Sequence, residues 1–442
     1  MTARTTRPPA RRRTAAAALV MCAATALAAC SGADADPQEP TASGDEQEQV
    51  RLRFSWWGND NRHQTTEQVL DLFEEKYPHI EVVGEYSDWG GYWDKLSTSV
   101  AAGDAPDVIT QEERYLREYG SRGVLADLAE LDAIGTDDLD PSVASAGEFE
   151  GALYGIPTGT LTAAVLADPA TFEVAGVPMP DEDTWTWQDY VDTAVAISAA
   201  TPEGTYGAQD HGFSEVAFAI YARQHGEELY AQDGTLGFET QTLADFFEMS
   251  VELRDSGGTP PASTSIEINA DSTRSLMATG TGGMGVWWTS QLGPTEDASG
   301  RTLELLRMPG ETAGERTGMY VKPSMYYSIS ADSEHPEEAA LLVDFLLNDV
   351  EAGRLILSDR GLPVNLEVRA ALESDFTDAD RRAAEFMERV APTIEDSLNT
   401  PPIGAGEVAG IMARMNEQVL FDRLTPQEAA EQFVSEVEAV IG

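Results

Sequence analysis

Flat aromatic rings and hydrogen-bonding side chains recur together in this sequence, at places where strands should end. Trp56-Trp57-Gly58-Asn59 is followed at once by Arg62 and His63, and Trp89 and Tyr92 come after the next strand. Glu112 and Tyr115 follow PDVIT; Asp210 and His211 sit in YGAQDHGF, and Arg223 in YARQHGEEL. Trp287-Trp288, Tyr326-Tyr327 and Arg360 complete the set. A pyranose ring offers a weakly polar C–H face and a rim of hydroxyls. Stacking indoles and phenols suit the face, and carboxylates, amides and guanidinium groups suit the rim. An arginine fork also takes a carboxylate bidentately, which makes Arg62, Arg223 and Arg360 candidates for a uronic sugar.

Other chemistries find less support. Gly280, Gly282 and Gly285 have the G-x-G-x-x-G spacing, but a dinucleotide fingerprint follows a strand and opens a helix. Here a helix over 273–278 is expected before the glycines and a strand over 286–288 after them, so they read as a hinge-side loop. Five scattered histidines without an H-E-x-x-H motif give no metal site, and no G-x-S-x-G nucleophile elbow occurs. With 77 acids, carboxylate pairs suited to glycoside hydrolysis arise by number alone and carry no information. No cofactor is expected.

The elements that must position these residues begin after a leader. MTARTTRPPARRR is a basic n-region, and the alanine-rich run behind it is shorter than the ~20 residues a membrane span needs, so residues 1–29 read as a signal peptide. It ends in Leu27-Ala28-Ala29-Cys30, which resembles a bacterial lipobox, the motif that would make Cys30 a lipidated N-terminus and an anchor to the outer face of the cell membrane. Cys22 leaves with the leader, so no disulfide remains. Loss of five arginines and no acid takes the net charge from −49 to −54, a poor surface for nucleic acid or bare anionic membrane. Residues 30–49 carry six acids and no large apolar side chain. They read as a disordered tether with a root-mean-square reach of roughly 25 Å.

Folded chain starts at about Val50. On a strand, Leu52, Phe54 and Trp56 share one face and Arg53, Ser55 and Trp57 the other. Trp56 thus extends a core face, and Trp57 is expected to face a ligand. Val69, Leu70, Leu72 and Phe73 make a helix face, Pro78 stops that helix, and Ile80, Val82 and Val83 form the next strand. A further helix runs to Gly103, and residues 107–110 form a short buried strand. Alternating strands and helices imply an α/β fold with a parallel sheet, which binds ligands at the carboxyl ends of its strands.

FSWWG, DLFEEKYPHIEV, AAGDAPDVI, SRGVLADLAEL, YGIPTGT and HPEEAALLVDFLLNDVEAGRLILSDRGLPVN, in this order, resemble the extracellular solute-binding proteins of ABC transporters, in the branch with maltose- and oligosaccharide-binding lipoproteins. The resemblance implies a two-lobed periplasmic-binding-protein-like fold with an interlobe cleft and hinge crossings. It places lobe 1 at 50–157 and 284–340 and lobe 2 at 158–283 and 341–442. Residues 154–159 would cross from the first lobe to the second, and 284–290 would return. A WWG-x-x-x-R-H opening like Trp56 to His63 occurs in some relatives that bind acidic oligosaccharides. The implied function is capture of an oligosaccharide, plant-derived and neutral or uronic, with a maltose- or cellobiose-like disaccharide also open, by a monomer that delivers it to permease subunits. A secreted polysaccharide-degrading enzyme and a sugar-sensing lipoprotein share such a cleft and stay open as alternatives.

Overall fold

Strand β1 (Val50–Trp57) alternates buried and exposed positions only in its first half; its last four residues are all buried. The computed structural model, which describes residues 49–270, 272–394 and 398–442, gives the reason: both faces of β1 are covered. The expected leader, Cys30 and nearly all of the tether lie outside the described residues. Helix α1 (Asp60–Lys76) buries Val69, Leu70 and Phe73 against Leu52, Phe54 and Trp56. Strand β2 (Ile80–Ser87), helix α2 (Trp89–Ala101), strand β3 (Val108–Gln111) and helix α3 (Glu113–Ser121) follow. The opposite face of the sheet packs Trp57, Ile109 and Tyr326 against Tyr92, Trp93, Leu96 and Leu116.

This first sheet has the order β2, β1, β3, Tyr326–Ile329, Ile156–Pro157. The first three strands are parallel, and the segment Tyr326–Ile329 is antiparallel to both of its neighbours. A second sheet has the order Glu304–Leu306, Ala163–Ala167, Gly282–Trp288, Tyr206–Ala208. It has its own core, which draws on the helices Trp187–Ala200, Glu215–Gln224, Thr240–Ser256, Val408–Leu420 and Pro426–Ile441. Two separate cores make two lobes.

Three short segments run between them and pair with one another. Thr160, in Gly159–Leu161, is opposite Pro323 on one side and Leu362 on the other. The expected return at 284–290 is not where the chain changes sheet: Met284 pairs with Ala167 and Ala208, and the chain reaches the first sheet only after Lys322–Pro323. The helices Pro336–Asn348 and Val350–Ile356 pack beneath the first sheet, so the expectation that residues after 341 complete the second lobe fails until the third crossing at Leu362–Pro363. A fully buried apolar strand fits either sheet, and its sequence does not say which. The glycine run also differs from expectation. Residues 272–274 form only a short 3₁₀ turn, and Gly282 and Gly285 lie inside a strand of the second sheet.

Gly159 is required where the crossings meet. A Cβ there would lie 2.4 Å from the Arg360 carbonyl oxygen and 2.7 Å from that of Leu362, both backbone atoms that cannot rotate aside. Gly159→Ala is therefore expected to force the crossing strands apart and destabilise the fold by about 1–3 kcal/mol, read as a lower denaturation midpoint. An unchanged midpoint would show that the three crossings do not form one packed unit.

Candidate functional site

Each parallel strand of the first sheet ends in a residue that caps the helix behind it. Asn59 accepts a hydrogen bond from the Arg62 amide, Asp88 from Gly91 and Glu112 from Arg114. Short polar or acidic side chains are favoured there because they satisfy amides the helix leaves unpaired. All three caps line one cleft of about 1070 Å³ between the lobes. The first lobe also contributes Trp57, Arg62 and Trp89 to it, and the second lobe Tyr230, Trp287, Trp288 and Tyr320. Lys322 and Ser324 enter from the crossing segments.

Seven of the expected site residues thus come together: Trp57, Asn59, Arg62, Trp89, Glu112, Trp287 and Trp288. Trp57 is only 8% exposed, held by the rings of Trp89, Tyr92 and Trp93 at centroid distances of 5.0, 5.3 and 5.7 Å. The open face on this side belongs to Trp89, at 39% exposure.

The other expected residues lie away from the cleft lining. Trp56 is core, and its indole donates to His63 Nδ1 at 3.1 Å while His63 stacks on Tyr86. Tyr92 is buried and donates to the Thr110 carbonyl at 2.6 Å; Tyr326 is a central strand residue of the first sheet. Tyr115 stacks on Trp93 at 3.7 Å, with its hydroxyl 3.5 Å from the Gly406 carbonyl. Arg223 is fully buried and donates to Glu228 and to the Gly318 carbonyl, each at 3.0 Å. Arg360 is 4% exposed and donates to the Thr66 and Tyr327 hydroxyls. Asp210 is buried in the second lobe, accepting from the Gly212 amide, the Ser250 hydroxyl and the Asn416 amide group. Position after a strand or within one does not reveal which side packs inward: Tyr92 lies on the buried face of α2 and Tyr326 in an interior strand covered by that layer, which is why both read as accessible.

Charge in the cleft is tightly matched. Arg62 donates to the Asp359 carboxylate at 2.7 Å and to its carbonyl at 2.6 Å. Lys322 sits between Glu112 at 2.9 Å and Glu113 at 2.7 Å. Arg114 binds Glu112 at 2.8 Å and, across the cleft, Glu215 of the second lobe at 2.9 Å. Burial alone would push the Glu112 carboxyl up, but the Arg114 and Lys322 cations overcome it and hold Glu112 down at about 2. Glu113, sharing Lys322 with that carboxylate, is instead raised, chiefly by burial. Burial also works against the Lys322 ammonium, yet its two carboxylates leave it raised overall. Lys322 lies 5.3 Å from the Trp288 ring centroid, and the Arg114 guanidinium 5.4 Å from that of Trp89. Among the described residues no group of three or more His, Cys, Asp or Glu side chains could hold a metal, and no helix is long and apolar enough to cross a membrane.

The sequence reading missed Glu113, Arg114, Glu215, Tyr230, Tyr320 and Lys322. The strand-end rule that selected Glu112 reaches Arg114 two residues on. Glu215 and Lys322 meet their partners across about one hundred and two hundred residues of sequence, a pairing that no local pattern announces.

Two α/β lobes joined by three crossings, with strand ends and aromatic rings facing an intervening cleft, define a two-lobed solute-binding protein. The model of the family described as bacterial extracellular solute-binding protein matches residues 68–384, and the chain belongs to that family. It is 31% identical to an extracellular solute-binding protein family 1 structure from Alicyclobacillus acidocaldarius, with 90% of this chain and 100% of that one covered and a TM-score of 0.65. The diacetylchitobiose binding protein DasA of Streptomyces coelicolor is 25% identical over 370 residues, 79% of this chain and 82% of that protein. A periplasmic oligogalacturonide binding protein from Yersinia enterocolitica, in complex with saturated digalacturonic acid, shares the fold at a TM-score of 0.78 and 21% identity, covering 89% of this chain and 100% of that one.

Asp210 supplies a pH test of the second lobe. Burial pushes its carboxyl up to about 6 in spite of three hydrogen bonds that lower it. In the unfolded chain an aspartate titrates near about 3.9. Its contribution to stability is therefore complete below about pH 4 and is lost as pH rises through about 6, an effect of about 3 kcal/mol. Asp210→Asn is expected to raise the melting temperature at pH 7.5 and to leave it nearly unchanged at pH 4. Equal shifts at both pH values would contradict this.

Proposed function

We propose that this protein is the lipid-anchored substrate-binding component of an ABC importer, and that it captures a neutral oligosaccharide between its lobes. The observation that carries this reading is the pair of aromatic walls: Trp57 and Trp89 on one lobe, Trp287 and Trp288 on the other, all on the same cleft. A cleft of about 1070 Å³ is just above the ~300–1,000 Å³ typical of small-ligand sites, which suits several linked sugar rings better than one. Ligand that touches both lobes favours the closed state, because only that state makes both sets of contacts. The permease subunits would then recognise closure.

Charge supports a neutral ligand over a uronic one. The Yersinia relative binds digalacturonic acid, and the same chemistry here would need a cation available for a carboxylate. Arg62, Arg114 and Lys322 each already hold carboxylates of this chain, and Arg223 holds Glu228. A uronate would have to displace one of these partners and leave a buried acid uncompensated. The lipobox-like Leu27 to Cys30 supports anchoring at Cys30, which holds the binding protein near its permease.

A thermal-shift screen tests the reading. Neutral gluco-, xylo-, galacto- or chito-oligosaccharides should include one that raises the melting temperature saturably and is recovered intact, while oligogalacturonides leave it unchanged. Trp89→Ala and Trp288→Ala should each weaken that ligand about 5- to 10-fold. A uronic winner overturns the charge argument, and cleavage of the winning sugar or the absence of any winner overturns the transport reading. Retention of the full chain by membranes, lost in Cys30→Ser, checks the anchor.

A further inference from the structure

The first turn of α3 is the place where the two lobes touch across the cleft. Arg114 and Tyr115 belong to the first lobe, and Glu215 and Gly406 to the second. The Arg114 guanidinium is held at 2.8 Å by Glu112 of its own lobe and at 2.9 Å by Glu215 of the other. The Tyr115 ring packs on Gly406 so closely that a Cβ there would lie 2.4 Å from it. Glu215 stands at the start of a helix, where negative charge is favoured, and Ser214 provides the cap. Its carboxylate is therefore in place whether or not Arg114 is near.

Arg114 also faces the exposed indole. Its guanidinium is 5.4 Å from the ring centroid of Trp89, which in turn meets Trp57 edge-on at 5.0 Å. The Trp89 ring rests on Trp57, Trp93 and Tyr115 of its own lobe, at centroid distances of 5.0, 5.4 and 6.4 Å, and 39% of its surface is open, with the Arg114 guanidinium adding a cation over it. When the lobes part, Glu215 moves off with the second core and Arg114 keeps only Glu112.

We propose that Arg114 is a positioning residue for ligand binding: clamped by Glu112 and Glu215, it sets the Trp89 face only when the lobes are together. Closure then completes an aromatic wall as well as bringing two walls together. This makes the wall depend on a lobe-spanning ion pair, one buried enough that salt screens it only weakly. The inference rests on the cleft being the sugar site only for the identity of the ligand; the clamp rests on the contacts that Arg114 makes with Glu112 and Glu215.

The test compares the protein with Glu215→Gln, Arg114→Lys and Arg114→Gln. Without ligand, small-angle scattering reports lobe separation, and the fluorescence difference between each protein and its Trp89→Phe counterpart reports the Trp89 environment. Glu215→Gln should increase the radius of gyration and make the Trp89 signal more accessible to acrylamide, with the melting temperature nearly unchanged. Added salt should produce only a small part of the same change in the parent and still less in the variant. Arg114→Lys should restore part of the compactness but not the Trp89 signal, because an ammonium lacks the planar fork. Affinity for the best neutral oligosaccharide should fall about 10-fold in Glu215→Gln. A Trp89 signal and lobe separation that are indifferent to Glu215→Gln and to salt overturn the proposal. If these ligand-free signals shift while no sugar binds any protein, the clamp stands and the choice of ligand fails.

Discussion

Everything in the structure hangs on a three-stranded crossing in which Thr160 is paired to Pro323 on one side and Leu362 on the other. The chain passes between two independent cores three times, and it does so through one hydrogen-bonded unit. Hydroxyls tie the unit further: Thr158 lies 3.2 Å from Ser324 and donates to the Arg360 carbonyl at 3.3 Å. Such a joint ties the two cores together through backbone pairing as well as through hydroxyls. The carboxyl ends of β1, β2 and β3 therefore face the second lobe across a cleft whose floor carries Lys322 and Ser324 from the joint itself.

That cleft is built of charge as much as of aromatic rings. A buried carboxylate or ammonium is costly unless paired, and here the pairs form a chain from Lys322 through Glu112 and Arg114 to Glu215. The chain starts at the joint, runs along the first lobe and ends on the second. One consequence is that a −49 protein presents few cations to a ligand, since those it places in the cleft are already matched. Another is that the cleft's polarity depends on lobe position, because one of its ion pairs spans the gap.

Much of this was legible in the sequence where local rules apply. Pro78 and the Val69, Leu70, Phe73 face marked the first strand–helix–strand unit, and the strand-end rule led to Trp57, Asn59, Arg62, Trp89 and Glu112. What failed needed knowledge of what lies opposite. Tyr92 and Tyr326 carry the right chemistry but are buried where α2 meets the first sheet, and Arg223 and Arg360 are consumed by partners inside the protein. The strand Gly282–Trp288 reads as a buried apolar run whichever sheet it joins, so its lobe was misassigned, although Trp287 and Trp288 do line the cleft.

On the proposed reading both lobes together hold one uncharged sugar chain. A crystal structure of the protein with its best-binding oligosaccharide tests it most directly. Sugar rings should stack on Trp89 from one lobe and on Trp288 from the other, with Arg62 still on Asp359 and Lys322 still between Glu112 and Glu113. A sugar held by one lobe alone, or a uronate that has taken Arg62 away from Asp359, would contradict it.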